Sequence, residues 1–146
     1  MPVDVLVRGK AGELLDASIK RQVATRVRTA LKALDRSRSS ATLVFTDDQE
    51  IRVLNRDYRK HDRATDVLSF HLQELEGETD PAGRGINLGD IVISVETARR
   101  RSGPRRFLPE LERLAIHGLC HLFGHDHKKK AEAKVMFALE RKLRRI

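Results

Sequence analysis

Four of the six histidines lie within one window of eleven residues: His117, His121, His125 and His127. His117 and His121 are four residues apart, so on a helix their rings project from one face at a separation that a single ion can bridge. Two unpartnered imidazoles on an apolar helix would otherwise be costly to bury. The spacing therefore predicts a metal centre.

The third ligand has to be either His125 or His127. On a continued helix His125 would lie about 12 Å along the axis from His117, too far for nitrogens that each bond zinc at about 2 Å. Gly124 predicts a turn, after which His127 can fold back towards His117 and His121. The rhythm His-x3-His-x2-Gly-x2-His is typical of metzincin zinc helices. We predict one Zn²⁺ held by three histidines, with a fourth position for water, as in catalytic sites.

The residues between and beside these histidines are not predicted to be metal ligands or catalytic groups. Cys120, the only cysteine, points about 100° away from His121 on a helix and is interpreted as a core residue. Gly118 stands where His-Glu-x-x-His peptidases have their glutamate base, so that base is missing, and close packing is the expected role of the glycine. Asp126 either orients a ligand ring or stabilises a local turn.

The histidines require a buried helix, and residues 110–123 are apolar nearly all round, with Pro109 in the first turn and Gly124 as the cap. Upstream, strands and helices alternate. We predict strands at residues 3–7, 41–46, 66–72 and 88–94, helices after the N-caps Asp16, Asp47 and Ser94, a mobile acidic loop at 73–85, and a last amphipathic helix through Val135, Leu139 and Leu143. The fold class is α+β or mixed α/β, with a single small mixed sheet packed by helices.

Composition limits the classes of protein that remain. The 146 residues are 40% hydrophobic and 34% charged, which excludes disorder and membrane-spanning classes and fits one domain over residues 1–146. Residues 1–10 lack the layout of a signal peptide, so we expect a cytoplasmic protein with no membrane partner. The net charge of +8 favours a polyanionic partner. No Trp, one Tyr and five Phe argue against an extended base-stacking platform.

The run from His117 to His127, His-Gly-Leu-Cys-His-Leu-Phe-Gly-His-Asp-His, closely resembles the YbeY family of metal-dependent endoribonucleases. Residues 54–59, 65–70 and 88–94 resemble the other signature blocks of that family, in order, and Met136 and Glu140 fall where its closing helix carries them. The sequence departs from the family pattern at four positions: Ala64, His71, Cys120 and His125. None of these is one of the three predicted ligands.

The resemblance implies a single YbeY-like endoribonuclease domain in which a zincin-like helix binds zinc in the core. It also implies cleavage of single-stranded RNA, with Arg59 matching a functionally important arginine. The implied role is in 3′-end maturation of small-subunit (16S) ribosomal RNA and in ribosome quality control. The small ribosomal subunit and an assembly GTPase are the implied partners, and DNA is not an expected substrate.

We hypothesise that the ion polarises a phosphate oxygen or activates water while Arg59 stabilises the phosphorane-like transition state. Hydroxide on the metal, the 2′-hydroxyl of the RNA and another residue remain open as proton acceptor. For Arg59 the alternative is a helix-end cation near exposed carbonyls. Basic runs at 99–101, 105–106, 128–130 and 141–145 either bind RNA phosphates or form solvated helix faces. Two other functions compete: a zinc peptidase or other hydrolase, and a non-enzymatic ribosome-assembly factor.

Overall fold

The computed structural model describes residues 3–36, 38–71, 87–123 and 138–145. The predicted loop at 73–85 and the residues Gly124, His125, Asp126, His127, Val135 and Met136 lie outside these ranges. The strands are β1 (Val3–Val7), β2 (Ser40–Thr46), β3 (Val67–His71) and β4 (Asn87–Ser94). The helices are α1 (Ala17–Ala33), α2 (Asp48–Arg59), α3 (Val95–Ser102), α4 (Phe107–Leu122) and α5, described over 138–144.

The four strands form one mixed sheet in the order β1-β2-β4-β3. β1, β2 and β4 are parallel neighbours, whereas β3 runs antiparallel to β4. The predicted α+β class with a small mixed sheet is therefore confirmed. None of the described helices has the length and apolar character needed to cross a membrane.

Side chains alternate between the two faces of the sheet, as strand geometry requires. Phe45 and Ile91, both fully buried, belong to the larger core with α1 and α4. Val44 and Val92 face the other way and join Ile51 of α2 in a smaller cluster. The histidine helix α4 therefore packs on one face, and α2 covers part of the other.

The three predicted N-caps are confirmed. Asp16 accepts from the Ile19 backbone N–H, and Ser94 caps α3 through the N–H of Thr97. Asp47 accepts from the N–H groups of Glu50 and Lys10, each at 2.9 Å. These two backbone bonds, that of Glu50 first, lower the pKa of the Asp47 carboxyl below its usual 3.8.

The predicted start of the histidine helix is wrong by a few residues. α4 begins at Phe107 rather than at 110, which places Pro109 inside the first turn. A proline is tolerated there because the first N–H groups of a helix have no intrahelical partner. Burial of the Phe107 ring supplies a reason for the earlier start. Two short 3₁₀ helices, Gly9–Glu13 and Pro104–Arg106, were not predicted.

Candidate metal centre

His117 and His121 lie on one face of α4, as their spacing predicts. Their Nε2 atoms are 3.0 Å apart, and their ring centroids are 4.6 Å apart at an interplanar angle of 72°. Two nitrogens bonded to one tetrahedral zinc at 2.0–2.1 Å would be about 3.3 Å apart. The observed separation is close to that value, so the two imidazoles fit a shared ion.

A buried carboxylate orients the first of these rings. Glu140 of α5, only 6% exposed, lies with Oε1 2.6 Å from Nδ1 of His117. An ionised carboxylate can only accept, so Nδ1 donates and Nε2 presents its lone pair towards His121. Carboxylates commonly fix the tautomer of metal-binding histidines in this way. Two features of the sequence pointed to Glu140. It falls where the closing helix of the resembled family carries it, and it shares a helix face with Leu143, which is buried.

The third predicted ligand, His127, lies outside the described residues, as do its competitor His125 and the turn residue Gly124. Within residues 3–36, 38–71, 87–123 and 138–145, no group of three or more His, Cys, Asp or Glu side chains could hold a metal ion. The three-histidine ligand set therefore stays a prediction, of which the structure describes two members.

Gly118 allows α4 to approach the sheet closely. A Cβ at this position would lie 2.5 Å from Cγ2 of Ile91 and 3.2 Å from Oγ of Ser69. The Gly118 carbonyl accepts a hydrogen bond from that Ser69 hydroxyl at 3.1 Å. The expected packing role of Gly118 is confirmed, and the position that carries the base in His-Glu-x-x-His peptidases faces the sheet.

Arg59, the last residue of α2, lies at the β3 side of the same region. Its guanidinium donates to the backbone carbonyl of Ser69 at 2.7 Å and lies 5.0 Å from the centroid of the Phe70 ring. The carbonyl that it bonds belongs to a strand, not to the end of its own helix. Since Ser69 also bonds Gly118, two hydrogen bonds connect Arg59 to the histidine helix.

His71 brings a further imidazole to this edge. Its Nε2 contacts the backbone carbonyl of His121, near the C-terminal end of α4. The last carbonyls of a helix have no intrahelical N–H partner, so a ring nitrogen that carries a proton can satisfy one of them. His71 was noted in the sequence only as a departure from the family pattern, because its contact spans fifty residues of chain.

Burial explains the behaviour expected of Cys120. The side chain is fully buried, and burial first, with the charge of Glu140 second, raises its pKa to about 12. The thiol is therefore protonated at neutral pH and behaves as a small apolar group. The interpretation of Cys120 as a core residue is confirmed.

The basic run 99–101 is largely engaged within the protein. Arg100 lies 2.7 Å from Asp48, and Arg101 lies 2.5 Å from Asp66. The arginines at 105–106 are exposed. The basic residues of 141–145 are exposed as well, whereas the run 128–130 lies outside the described residues. The arginines at 105–106 thus present charge to a ligand more directly than Arg100 and Arg101 do.

Comparison with solved structures agrees with this fold. The solution structure of TM1509 from Thermotoga maritima superposes with a TM-score of 0.60 at 25% sequence identity. The alignment covers 97% of this chain and 86% of TM1509. The arrangement of sheet and helices is therefore shared with a protein of known structure.

Sequence comparisons identify the family. The family described as Endoribonuclease YbeY matches residues 9–145. Endoribonuclease YbeY of Anaeromyxobacter dehalogenans is 42% identical over 131 residues, which cover 88% of this chain and 65% of the relative. The protein of that name from Aquifex aeolicus is 44% identical over 110 residues, covering 74% and 69%. The chain spans about 65% of the length of the first two curated relatives that it matches. With a match across nearly its whole length, the chain belongs to the Endoribonuclease YbeY family.

Proposed function

We propose that this protein is a metal-dependent endoribonuclease that cleaves single-stranded RNA, with residues 1–146 acting as one catalytic domain. The observation that carries the proposal is the paired Nε2 atoms of His117 and His121, 3.0 Å apart, with the first ring held by Glu140. The names of the relatives support the substrate class, since they are endoribonucleases.

His117, His121 and His127 would hold one ion, which we propose to be Zn²⁺ because three imidazoles suit that metal. When bound, the ion would supply Lewis acidity towards a phosphate oxygen and would make a water molecule more acidic. Glu140 keeps the His117 ring in the orientation and tautomer that a ligand needs. Its burial makes that orientation rigid.

Arg59 would bind the phosphate at the cleavage site. Within the described residues, its guanidinium donates a hydrogen bond to the Ser69 carbonyl, and the side chain is exposed. A guanidinium has five N–H donors in a planar fork, so those turned to solvent can engage two oxygens of a phosphate. The bond to Ser69 and the contact with Phe70 hold the group in place, which favours a transition-state role over a mobile surface charge.

The peptidase alternative is weakened by position 118. A glutamate there would have to occupy space that Ile91 already fills, and Gly118 supplies no base. A non-enzymatic assembly factor would share the histidines and the charge, but it would not turn over RNA. Multiple turnover therefore separates the enzyme from the assembly factor.

The test is cleavage of single-stranded RNA by the full chain, beside duplex RNA, single-stranded DNA and a peptide set, with the bound metal measured on the same samples. We expect turnover on single-stranded RNA alone. His117→Ala, His121→Ala and His127→Ala should each lose bound metal and cleavage, whereas the exposed His61→Ala should lose neither. A metal-free His117→Ala/His121→Ala protein with full activity would refute the assignment.

Arg59 has a matched control on the same helix. Arg56 is exposed and pairs with its neighbour Asp57, so Arg56→Ala removes the same charge three residues away. We expect Arg59→Ala to lower kcat by a factor of about 10² to 10³, as loss of one transition-state donor does. Equal activities for the two variants would show that Arg59 has no role in the proposed site.

We further propose that the physiological substrate is small-subunit ribosomal RNA near its 3′ end, with the small subunit and an assembly GTPase as partners in a cytoplasmic quality-control role. The net charge of +8 supports a polyanionic partner. Depletion of the protein in cells should lead to accumulation of 3′-extended small-subunit RNA. Normal 3′ ends after depletion would contradict this role while leaving the nuclease activity intact.

A further inference from the structure

A cleft of about 300 Å³ opens on the sheet face opposite the histidine helix. α2 contributes Leu54 and Tyr58, and the sheet contributes Phe70, Val92 and Asp90. The walls are thus apolar and aromatic, with charged groups among them. Small-molecule sites commonly have this composition and volume.

Tyr58 is the unusual member of this lining. Its side chain is 63% exposed, more than any other large hydrophobic residue that the structure describes. The ring lies edge-to-face with Phe70, with centroids 5.4 Å apart and planes at 71°. The contact with Phe70 orients the Tyr58 ring, yet most of that ring stays accessible to a flat ligand.

Polar groups stand beside these rings. Asp90 is the cross-strand partner of Phe70, so the two side chains share one face. Partial burial raises the pKa of Asp90, although the nearby Arg8 opposes this effect. Arg8 in turn lies 3.5 Å from Glu50. An aromatic surface with hydrogen-bonding groups next to it complements a nucleobase, which has flat π-faces and a polar edge.

Arg59 and Ser69 connect the cleft to the candidate metal centre. Arg59 follows Tyr58 in the chain, lies 5.0 Å from the centroid of Phe70, and bonds Ser69, whose hydroxyl bonds Gly118 beside the first histidine. An RNA strand that passes Arg59 would therefore bring one adjacent base to Tyr58. We propose that this cleft is a subsite for one unstacked nucleobase of the RNA, which stacks on Tyr58 while Arg59 contacts the neighbouring phosphate.

The proposal rests on the proposed function for the identity of the polymer. It is compatible with the scarcity of aromatic residues, since one base requires one exposed ring rather than an extended platform. Glu50, Asp90 and Arg8 all line the cleft, and Arg8 lies 3.5 Å from Glu50. Because this arginine is paired with one carboxylate and a second carboxylate remains, we expect the base, and not a phosphate, to occupy the cleft. Its phosphate would lie outside, on the Arg59 side.

The chain has one tyrosine, so 3-fluorotyrosine incorporated into the full protein gives a single fluorine NMR resonance that reports on Tyr58. We would titrate this protein with a 2′-O-methyl adenosine tetranucleotide, which lacks the hydroxyl that could attack the phosphate. The matched ligand is an abasic tetramer with the same number of phosphates. We expect the resonance to shift saturably with the first ligand and to stay in place with the second.

Affinity measurements on variants give an independent result. Tyr58→Ala should weaken binding of the adenosine tetramer by about 5- to 150-fold, the range for loss of one base–aromatic stack, whereas Tyr58→Phe should retain binding. Val53 lies on the same helix and is 40% exposed. Val53→Ala should bind as the wild type does, and no variant should change binding of the abasic tetramer.

Equal shifts of the Tyr58 resonance with both tetramers would mean that the phosphates alone cause the shift. No shift with either tetramer would mean that another group covers the cleft. Each of these results overturns the proposed subsite. So does equal weakening by Tyr58→Ala and Val53→Ala. Cleavage of a long single-stranded RNA is measured separately. If the RNA is cut but the resonance is silent, the subsite fails and the proposed function stands. If the resonance responds but no RNA is cut, the function fails and the base subsite stands.

Discussion

Replacing Gly118 with alanine tests how tightly the histidine helix is seated on the sheet. The new Cβ would lie 2.5 Å from Cγ2 of Ile91, a distance that real Cβ atoms essentially never adopt. Ile91 is fully buried and β-branched, so its side chain has few alternative rotamers. One of the two elements must therefore shift.

Two opposing effects determine how much Gly118→Ala changes the free energy of unfolding. Alanine is a better helix former than glycine by about 1 kcal/mol, which would stabilise α4. Overpacking of a filled core costs about 1–3 kcal/mol, and a contact with so stiff a neighbour belongs near the upper end. We expect Gly118→Ala to lower the free energy of unfolding by about 1–2 kcal/mol, so packing outweighs propensity.

Urea unfolding followed by circular dichroism measures this difference, provided that the m-value is unchanged. Gly12→Ala is the control, because its Cβ would meet only Cγ1 of Val7, at an ordinary 3.8 Å. The control should be neutral or slightly stabilising, within about 0.5 kcal/mol. A Gly118→Ala protein as stable as the wild type would refute the argument from close approach.

A double-mutant cycle isolates the contact. Ile91→Ala removes the atom that the new methyl would strike, and on its own costs about 2–5 kcal/mol. Combined with Gly118→Ala, the total loss should be smaller than the sum of the single losses by about 1 kcal/mol or more, since the added methyl then enters vacated space. Strict additivity would show that the two positions do not interfere.

Three further predictions concern Glu140, Asp47 and Cys120. Glu140→Gln should weaken metal binding by about 10- to 100-fold in a chelator competition, because a neutral amide oxygen replaces the stronger carboxylate acceptor that orients His117; unchanged affinity would contradict that role. Asp47→Asn should lower the free energy of unfolding at neutral pH by about 1–2 kcal/mol. Because the pKa of Asp47 is lowered in the fold, its stabilisation is present above about pH 4 and is lost as the pH falls through the folded pKa, so the difference between variant and wild type should shrink in acid. The Cys120 thiol should resist a maleimide reagent in the native protein at pH 8 and react only on unfolding, since its pKa is about 12; rapid native labelling would show that it is accessible.

Local signals made much of the fold predictable. N-caps such as Asp16 and Asp47 act within three residues of themselves, and alternation within a strand decides which face is buried. The shared helix face of His117 and His121 likewise follows from the helical repeat alone. These features depend on short stretches of chain, and each is present in the structure.

Contacts between distant segments were less accessible. The bond from Ser69 to Gly118 spans 49 residues, that of His71 to the His121 carbonyl spans 50, and that of Glu140 to its histidine spans 23. Periodicity and spacing carry no information on which strand lies beside which helix. The same reason explains why the position of β4 between β2 and β3 has no signature in the sequence.

β3, which lies beside the histidine helix, is an edge strand of the described sheet. Arg59 therefore has a structural role at this edge in addition to the proposed phosphate contact. The Asp66 carbonyl accepts a hydrogen bond from the N–H of Ser94. In an antiparallel pair, every second residue points its backbone groups at the partner strand, so the carbonyl of Ser69, three residues further on, points away from β4. The exposed backbone groups of an edge strand can pair with a strand of another molecule, and a positively charged side chain at the edge discourages such pairing. Arg59 covers one of those outward carbonyls. Its removal would therefore expose that carbonyl as well as remove the proposed phosphate contact. In sedimentation experiments, Arg59→Ala should self-associate more than Arg56→Ala does.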